Sequence, residues 1–209
     1  DLHSFPTRRS SDLVVGERTK LELLKIAYNM FLAKGYENTS IDAIIKEAKI
    51  AKGTYYYHFD SKEKMLEEVI QMMLDDYTYR ADEILKSNLT LAEKAIGIIT
   101  AFKPNADELP IVDTLNHQDN LIMHNKINRQ LTERIVPMLS EIVAEGVKQG
   151  SLNCEDIPTR IKILMITSSE LFDSMEFSSK DVDVFLDIVE KVLGAKSGTM
   201  LFLRKLISG

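Results

Sequence analysis

The stretch "AKGTYYYHFDSKEKML" at residues 51–66 gathers the side chains best suited to chemistry: Lys52, Thr54, Tyr56, Tyr57, His58 and Lys62. All are cations or hydrogen-bond donors. No paired carboxylates in an acid/base motif, nucleophile elbow or phosphate-cradling glycine loop occurs in the chain. An enzyme therefore has no residues to rest on, and the chemistry open to this stretch is recognition of a polyanion.

Such side chains need a scaffold that presents them. "ERTKLELLKIAYNMFLAKGYENTS" sets Leu23, Ala27, Met30 and Phe31 at helical spacing and stops at Lys34-Gly35, which predicts a helix over 17–34. Thr39 and Ser40 are helix-start residues. The following "IDAIIKEA" is a helix of barely two turns that only tertiary packing can hold. A tight connection at Ala48 to Ile50 leads to a second short helix near 51–57, and Ser61 starts a long one. Two short helices joined by a sharp turn, the second rich in Lys, Thr, Tyr and His, suit entry into a DNA major groove.

At this point "GYENTSIDAIIKEAKIAKGTYYYHFDSKEKML" resembles the helix-turn-helix signature of the TetR family of transcriptional regulators across its whole length. The resemblance implies that Ser40, Tyr56, His58 and Lys62 contact phosphates. It also implies that Lys52, Gly53 and Thr54 face base edges or the adjacent backbone, and Tyr57 is grouped with them. Each role fits the residue: Lys52 can donate to guanine O6/N7, the Thr54 methyl can meet a thymine methyl, and Gly53 lets backbones come close. Tyr55 and Phe59 are expected to pack inward. Two positions depart from the family pattern, Ile45 where a small residue is usual and Lys49 where a glycine usually makes the turn. A left-handed residue other than glycine costs about 1 kcal/mol, and Lys49 could instead add a phosphate contact. Taken singly, the aromatic run at 55–57 could be core or interface surface, and His58 could be structural.

The rest of the chain reads as helix, with punctuation at Ser87-Asn88, Lys103 to Asn105, Gly150 to Asn153, Ser178-Ser179 and Gly194, and a capping box formed by Thr90 and Glu93. No strand-like alternation competes. The expected fold class is all-α: a three-helix head over 14–60 and a larger helical effector-binding and dimerisation domain over 61–209. Pro137 lies inside a strongly periodic helix and should kink it. Near the C-terminus, Ile161, Leu164, Met165, Ser168, Leu171 and Phe172 line one amphipathic helix, and Val182, Phe185, Ile188, Val189 and Val192 another. In the family resemblance these two helices form a four-helix dimer interface, and the preceding ones enclose an effector pocket. Tyr77, Asn116, His117 and His124 are the polar candidates for that pocket. His117 and His124, seven apart, have no Cys/Glu ligand set beside them, so neither a metal nor a cofactor is expected. Eight of the nine methionines fall after residue 60, which suits either an adaptable pocket or ordinary core filling.

Charge is distributed unevenly. Residues 14–65 hold nine Lys/Arg against seven Asp/Glu, a net +2, whereas residues 66–209 carry −8 of the total −6. Only the head is fit to approach a polyanion. One cysteine, Cys154, excludes an intrachain disulfide and points to a reducing compartment, the cytosol. No run of about 18 apolar residues suggests a membrane span. The opening "DLHSFPTRRSSDL" looks like a basic arm, yet Asp1 and Asp12 cancel Arg8 and Arg9. It resembles a translated short-read sequencing adapter, so residues 1–13 are expected to be foreign to the native protein. The functional expectation is a TetR-type regulator, released from a palindromic operator by a small molecule and acting as a homodimer. The alternatives are an architectural DNA-binding protein without an effector, or an all-α small-molecule binder.

Overall fold

The computed structural model describes residues 15–116, 121–172 and 176–207. Every regular element among them is helical: α1 (Val15–Lys34), α2 (Ile41–Ala48), α3 (Lys52–His58), α4 (Lys62–Lys86), α5 (Leu91–Ala101), α6 (Leu109–Asn116), α7 (Leu121–Lys148), α8 (Ile157–Phe172), α9 (Ser179–Leu193) and α10 (Arg204–Ile207). Short 3-10 turns at Ala106–Glu108 and Leu201–Leu203 precede α6 and α10. The expectation about residues 1–13 lies outside the described residues.

These elements form two compact units. One holds the chain to Asp76 together with Pro104–Ile127, the other Tyr77–Lys103 with Asn128–Gly209. The first unit thus extends past residue 60 and takes in a later segment. The reason is visible in its core: Met65, Leu66 and Val69 of α4 and Ile111 of α6 are buried there, as are Leu23, Ala27 and Phe31 of α1. A head made of α1 and two short helices has little apolar surface with which to close a core, and these added residues supply further burial.

Local chemistry accounts for the helix ends that shape this unit. Ser40 caps α2, its Oγ accepting from Ala43 N at 3.1 Å. Buried Thr39 donates its hydroxyl to the Gly35 carbonyl at 2.8 Å, joining the end of α1 to the start of α2. Ser61 starts α4 in the same way as Ser40 starts α2, accepting from Lys64 N at 3.1 Å.

In the second unit, α5 opens on the expected Thr90/Glu93 capping box and α9 on a Ser178/Asp181 one. Gly194 ends α9 at φ 62°, where a side chain would collide with the Asn153 carbonyl. Helix α7 continues through Pro137. After α9, the chain is pinned by buried Glu190, whose carboxylate accepts from Gly198 N at 3.0 Å and Met200 N at 2.9 Å. No described helix is long and apolar enough to cross a membrane.

Candidate nucleic-acid interface and apolar cavity

The interface is built from α2, its turn and α3. Ile44 is buried on α2, whereas Asp42, Lys46 and Glu47 are exposed. Lys49 then adopts φ 53°, ψ 42°, and Ile50 N returns a hydrogen bond to the Ile45 carbonyl at 3.3 Å, closing the helix end in the left-handed manner that glycine usually serves. The sharp turn is therefore made despite the lysine.

Helix α3 is held from one side and open on the other. Tyr55 and Phe59 are buried, their rings 5.8 Å apart, and Tyr55 Oη donates to the Ser61 carbonyl at 3.4 Å. Lys20 of α1 lies over the Phe59 ring at 5.6 Å and pairs with Glu68 of α4 at 2.5 Å. The remaining residues of α3 face outward: Lys52, Gly53 and Tyr56 are exposed, Thr54 and His58 partly so, and Tyr57 is 81% exposed with its ring edge-on to His58.

Each residue expected on this surface has a definite place. Ser40 is exposed but its Oγ already caps α2. Lys52 Nζ lies 3.4 Å from Asp42, which ties the start of α3 to the first turn of α2. Gly53 has a negative φ and nothing within 4 Å of where a Cβ would stand, so neither backbone conformation nor internal packing requires a glycine there. Lys62 is the exception to the outward pattern. Its ammonium donates to the Tyr36 carbonyl at 2.8 Å and sits 4.0 Å from the centre of the Tyr36 ring, anchoring α4 to the loop after α1. Exposed cations also lie nearby in sequence at Lys34, Lys46 and Lys49, of which only Lys49 was considered as a phosphate contact.

The second unit contains an apolar cavity of about 670 Å³, within the ~300–1,000 Å³ usual for small-molecule sites. Its walls come from α5, α7, α8, α9 and the C-terminal segment, with Ile99, Leu139, Ile142, Leu164, Phe185 and Leu203 among the lining residues. Ile161, Leu164, Met165, Ser168, Phe172, Phe185 and Val189, expected at a dimer interface, all line this cavity. Val182 is buried as well, and Leu171 and Val192 are half-buried. A helical apolar stripe says only that a face is covered, and here the chain covers it itself. The apolar residues that α8 and α9 leave exposed are Ile163, Ile166, Val184 and, of the expected set, Ile188.

The expected effector residues do not line this cavity either. Tyr77 is buried, its ring edge-on to Phe102 at 6.4 Å with the Arg80 guanidinium 4.9 Å from its centre. His124 is half-buried on α7. Asn116 ends α6 but its side chain, like His117 altogether, lies outside the described residues. Among the described residues no group of three or more His, Cys, Asp or Glu could hold a metal. The C-terminal segment, whose Met200, Phe202, Leu203, Leu206 and Ile207 complete the cavity wall, was missed. Its signal was the apolar run "MLFL" followed by "LI", too short to show a period.

Comparison with known proteins bears on the head most directly. Residues 23–69 match the family model of bacterial regulatory proteins, tetR family. The chain is 27% identical over 150 residues to the fatty acid metabolism regulator protein of Bacillus subtilis, covering 70% of this chain and 76% of that one. It is 28% identical over 165 residues to the transcriptional repressor KstR2 of Rhodococcus jostii, covering 73% and 76%. The solved structure of RolR with resorcinol aligns over 92% of this chain and 94% of its own, with a TM-score of 0.58 at 18% identity. That likeness supports the fold.

Proposed function

Because the chain belongs to the TetR family of DNA-binding transcriptional regulators, we propose that it is a homodimeric repressor, released from a palindromic operator by an apolar small molecule. The observation that carries this reading is the pairing, in one chain, of an outward-facing α3 on a buried Tyr55/Phe59 base with an apolar cavity in the other unit. An architectural protein has no use for the cavity. A simple small-molecule binder has no use for an exposed Lys52–His58 helix.

In this reading Lys52, Gly53, Thr54 and Tyr57 meet the bases or the adjacent backbone, and Ser40, Tyr56 and His58 meet phosphates. Lys62 contributes its charge while holding Tyr36. Gly53 is the most informative of these, since its missing side chain serves nothing inside the protein and leaves room for a close approach from outside. A head this small reads few base pairs, so useful specificity calls for two heads on successive major-groove faces. The exposed Ile163, Ile166, Val184 and Ile188 of α8 and α9 offer the apolar surface for pairing.

The effector acts by population shift. It must bind the conformer with mismatched heads several kcal/mol more tightly than the DNA-competent one, since equal affinity shifts nothing. Two relatives lend weight to an apolar effector and to repression: one is named for fatty acid metabolism, another is named a repressor. RolR's structure holds resorcinol.

Selection of bound sequences from random DNA by the full chain, with and without cell metabolites, tests the proposal. It predicts a two-fold symmetric consensus that the metabolites deplete. Enrichment of no sequence, or of one without symmetry, would contradict it.

A further inference from the structure

Lys103 supplies the single charged side chain among the described residues that line the apolar cavity. The other polar side chains there are the hydroxyls of Ser151, Ser168, Ser169 and Thr199, of which Ser151 donates to the Gly146 carbonyl at 3.0 Å, Ser168 to Met165 at 2.9 Å and Thr199 to Lys196 at 2.6 Å. The hydroxyls of Ser151, Ser168 and Thr199 are thus committed to carbonyls of their own chain. No described lining residue is a carboxylate, so nothing among them would hold a cationic ligand.

Lys103 is exposed, standing just beyond the end of α5. It lines the cavity, and its ammonium donates to the Leu206 carbonyl of α10, at the C-terminal end of the wall. That is the disposition of a snorkelling lysine, apolar along its length and charged at the water boundary. An ammonium carries three N–H donors, and the Leu206 carbonyl uses one.

We infer that the cavity takes an amphipathic monocarboxylate, its aliphatic body among Ile99, Leu139, Leu164, Phe185 and Leu203 and its carboxylate at the rim on Lys103. This rests on the reading of the cavity as the effector site. It adds the ligand's charge, its polarity along the molecule and the residue that selects it. Desolvation argues for the same orientation, since a carboxylate placed deep among these mostly apolar side chains would lose its water without gaining a cation, whereas at the rim it keeps both.

The test is competitive displacement of the neutral dye Nile red from the full-length protein by dodecanoate, dodecan-1-ol and dodecylammonium, repeated in Lys103→Met. The substitution keeps the apolar stem and removes the charge. The wild type should bind the dye and release it to dodecanoate at about fivefold lower concentration than to the alcohol, the scale of a solvent-exposed ion pair, with the ammonium weakest. Lys103→Met should bind the dye equally well and lose the preference. Failure of the wild type to bind Nile red would overturn the cavity as a ligand site and this inference with it. Dye binding with equal displacement by acid and alcohol, or with a preference that survives Lys103→Met, would overturn the inference alone. A Lys103→Met protein with unchanged thermal unfolding excludes misfolding as the cause of a lost preference.

Discussion

Tyr28 of α1 donates its hydroxyl to Glu108 Oε1 at 3.2 Å, joining two buried side chains 80 residues apart in sequence. The other carboxylate oxygen accepts from Asn105 N at 2.8 Å, so one glutamate holds both the turn before α6 and the middle of the first helix. Burial, and next the Glu108 carboxylate, push the Tyr28 phenol well above its ordinary range, which keeps it a donor.

Tyr28→Phe should therefore cost about 1–3 kcal/mol, since it takes a donor from a buried carboxylate, read as a lower urea midpoint with unchanged slope. The pH dependence has a definite sign. Burial raises Tyr28 and Tyr36 and pushes Tyr55 up to about 12, so above the unfolded value of 10.0 the native state holds protons that the unfolded chain has released. Their contribution is complete below pH 10 and is lost as pH rises toward and past 12. Urea titrations at pH 8 and pH 10.5 should show that fall, less steeply in Tyr28→Phe.

Lys49 sits at φ 53° in the α2–α3 turn. Lys49→Gly should stabilise the protein by about 1 kcal/mol, a rise in melting temperature of roughly 2–4 °C for a chain of this size. Calorimetry showing no rise would mean that the lysine is held there by contacts that offset the backbone cost.

Gly53→Ala should act in opposite directions on fold and function. A helical glycine costs roughly 0.5–1 kcal/mol relative to alanine, and the added methyl meets nothing within 4 Å. The melting temperature should rise. Affinity for a selected operator should fall at least tenfold if a DNA backbone comes close there, and fluorescence anisotropy on labelled DNA measures this directly.

On α8, Ile163 and Ile166 are 55% and 54% exposed, whereas Phe185 of α9 is buried at the cavity. The double change Ile163→Asp, Ile166→Asp should leave helicity intact and shift sedimentation from dimer to monomer. Phe185→Ala should instead destabilise the fold by about 3–5 kcal/mol. Dimers that persist in the double variant would move the interface elsewhere.

The contrast between head and body shows what a linear sequence carries. The head was legible because its signals are local: Ser40 as a cap, a turn at Lys49, Tyr55 and Phe59 four apart on one face. The apolar faces of α8 and α9 were equally legible, but periodicity does not tell whether the covering surface is a partner or the same chain. Here the covering comes from α5, α7 and a C-terminal segment too short to show a period. Lys62 marks the same limit. Its type and position suit a phosphate contact, yet the Tyr36 carbonyl that engages it lies 26 residues away. Likewise nothing in "ADELP" announces that Glu108 is buried against Tyr28.

In the proposed reading, one chain reads DNA through α3 and releases it when its cavity fills. Its most direct test is anisotropy of a selected, labelled operator titrated with the full-length protein, with and without saturating dodecanoate, alongside Lys52→Ala. Dodecanoate should weaken operator binding at least tenfold without altering the fold, and Lys52→Ala should narrow the gap between operator and random DNA. Operator affinity unchanged by a ligand shown to occupy the cavity would contradict it.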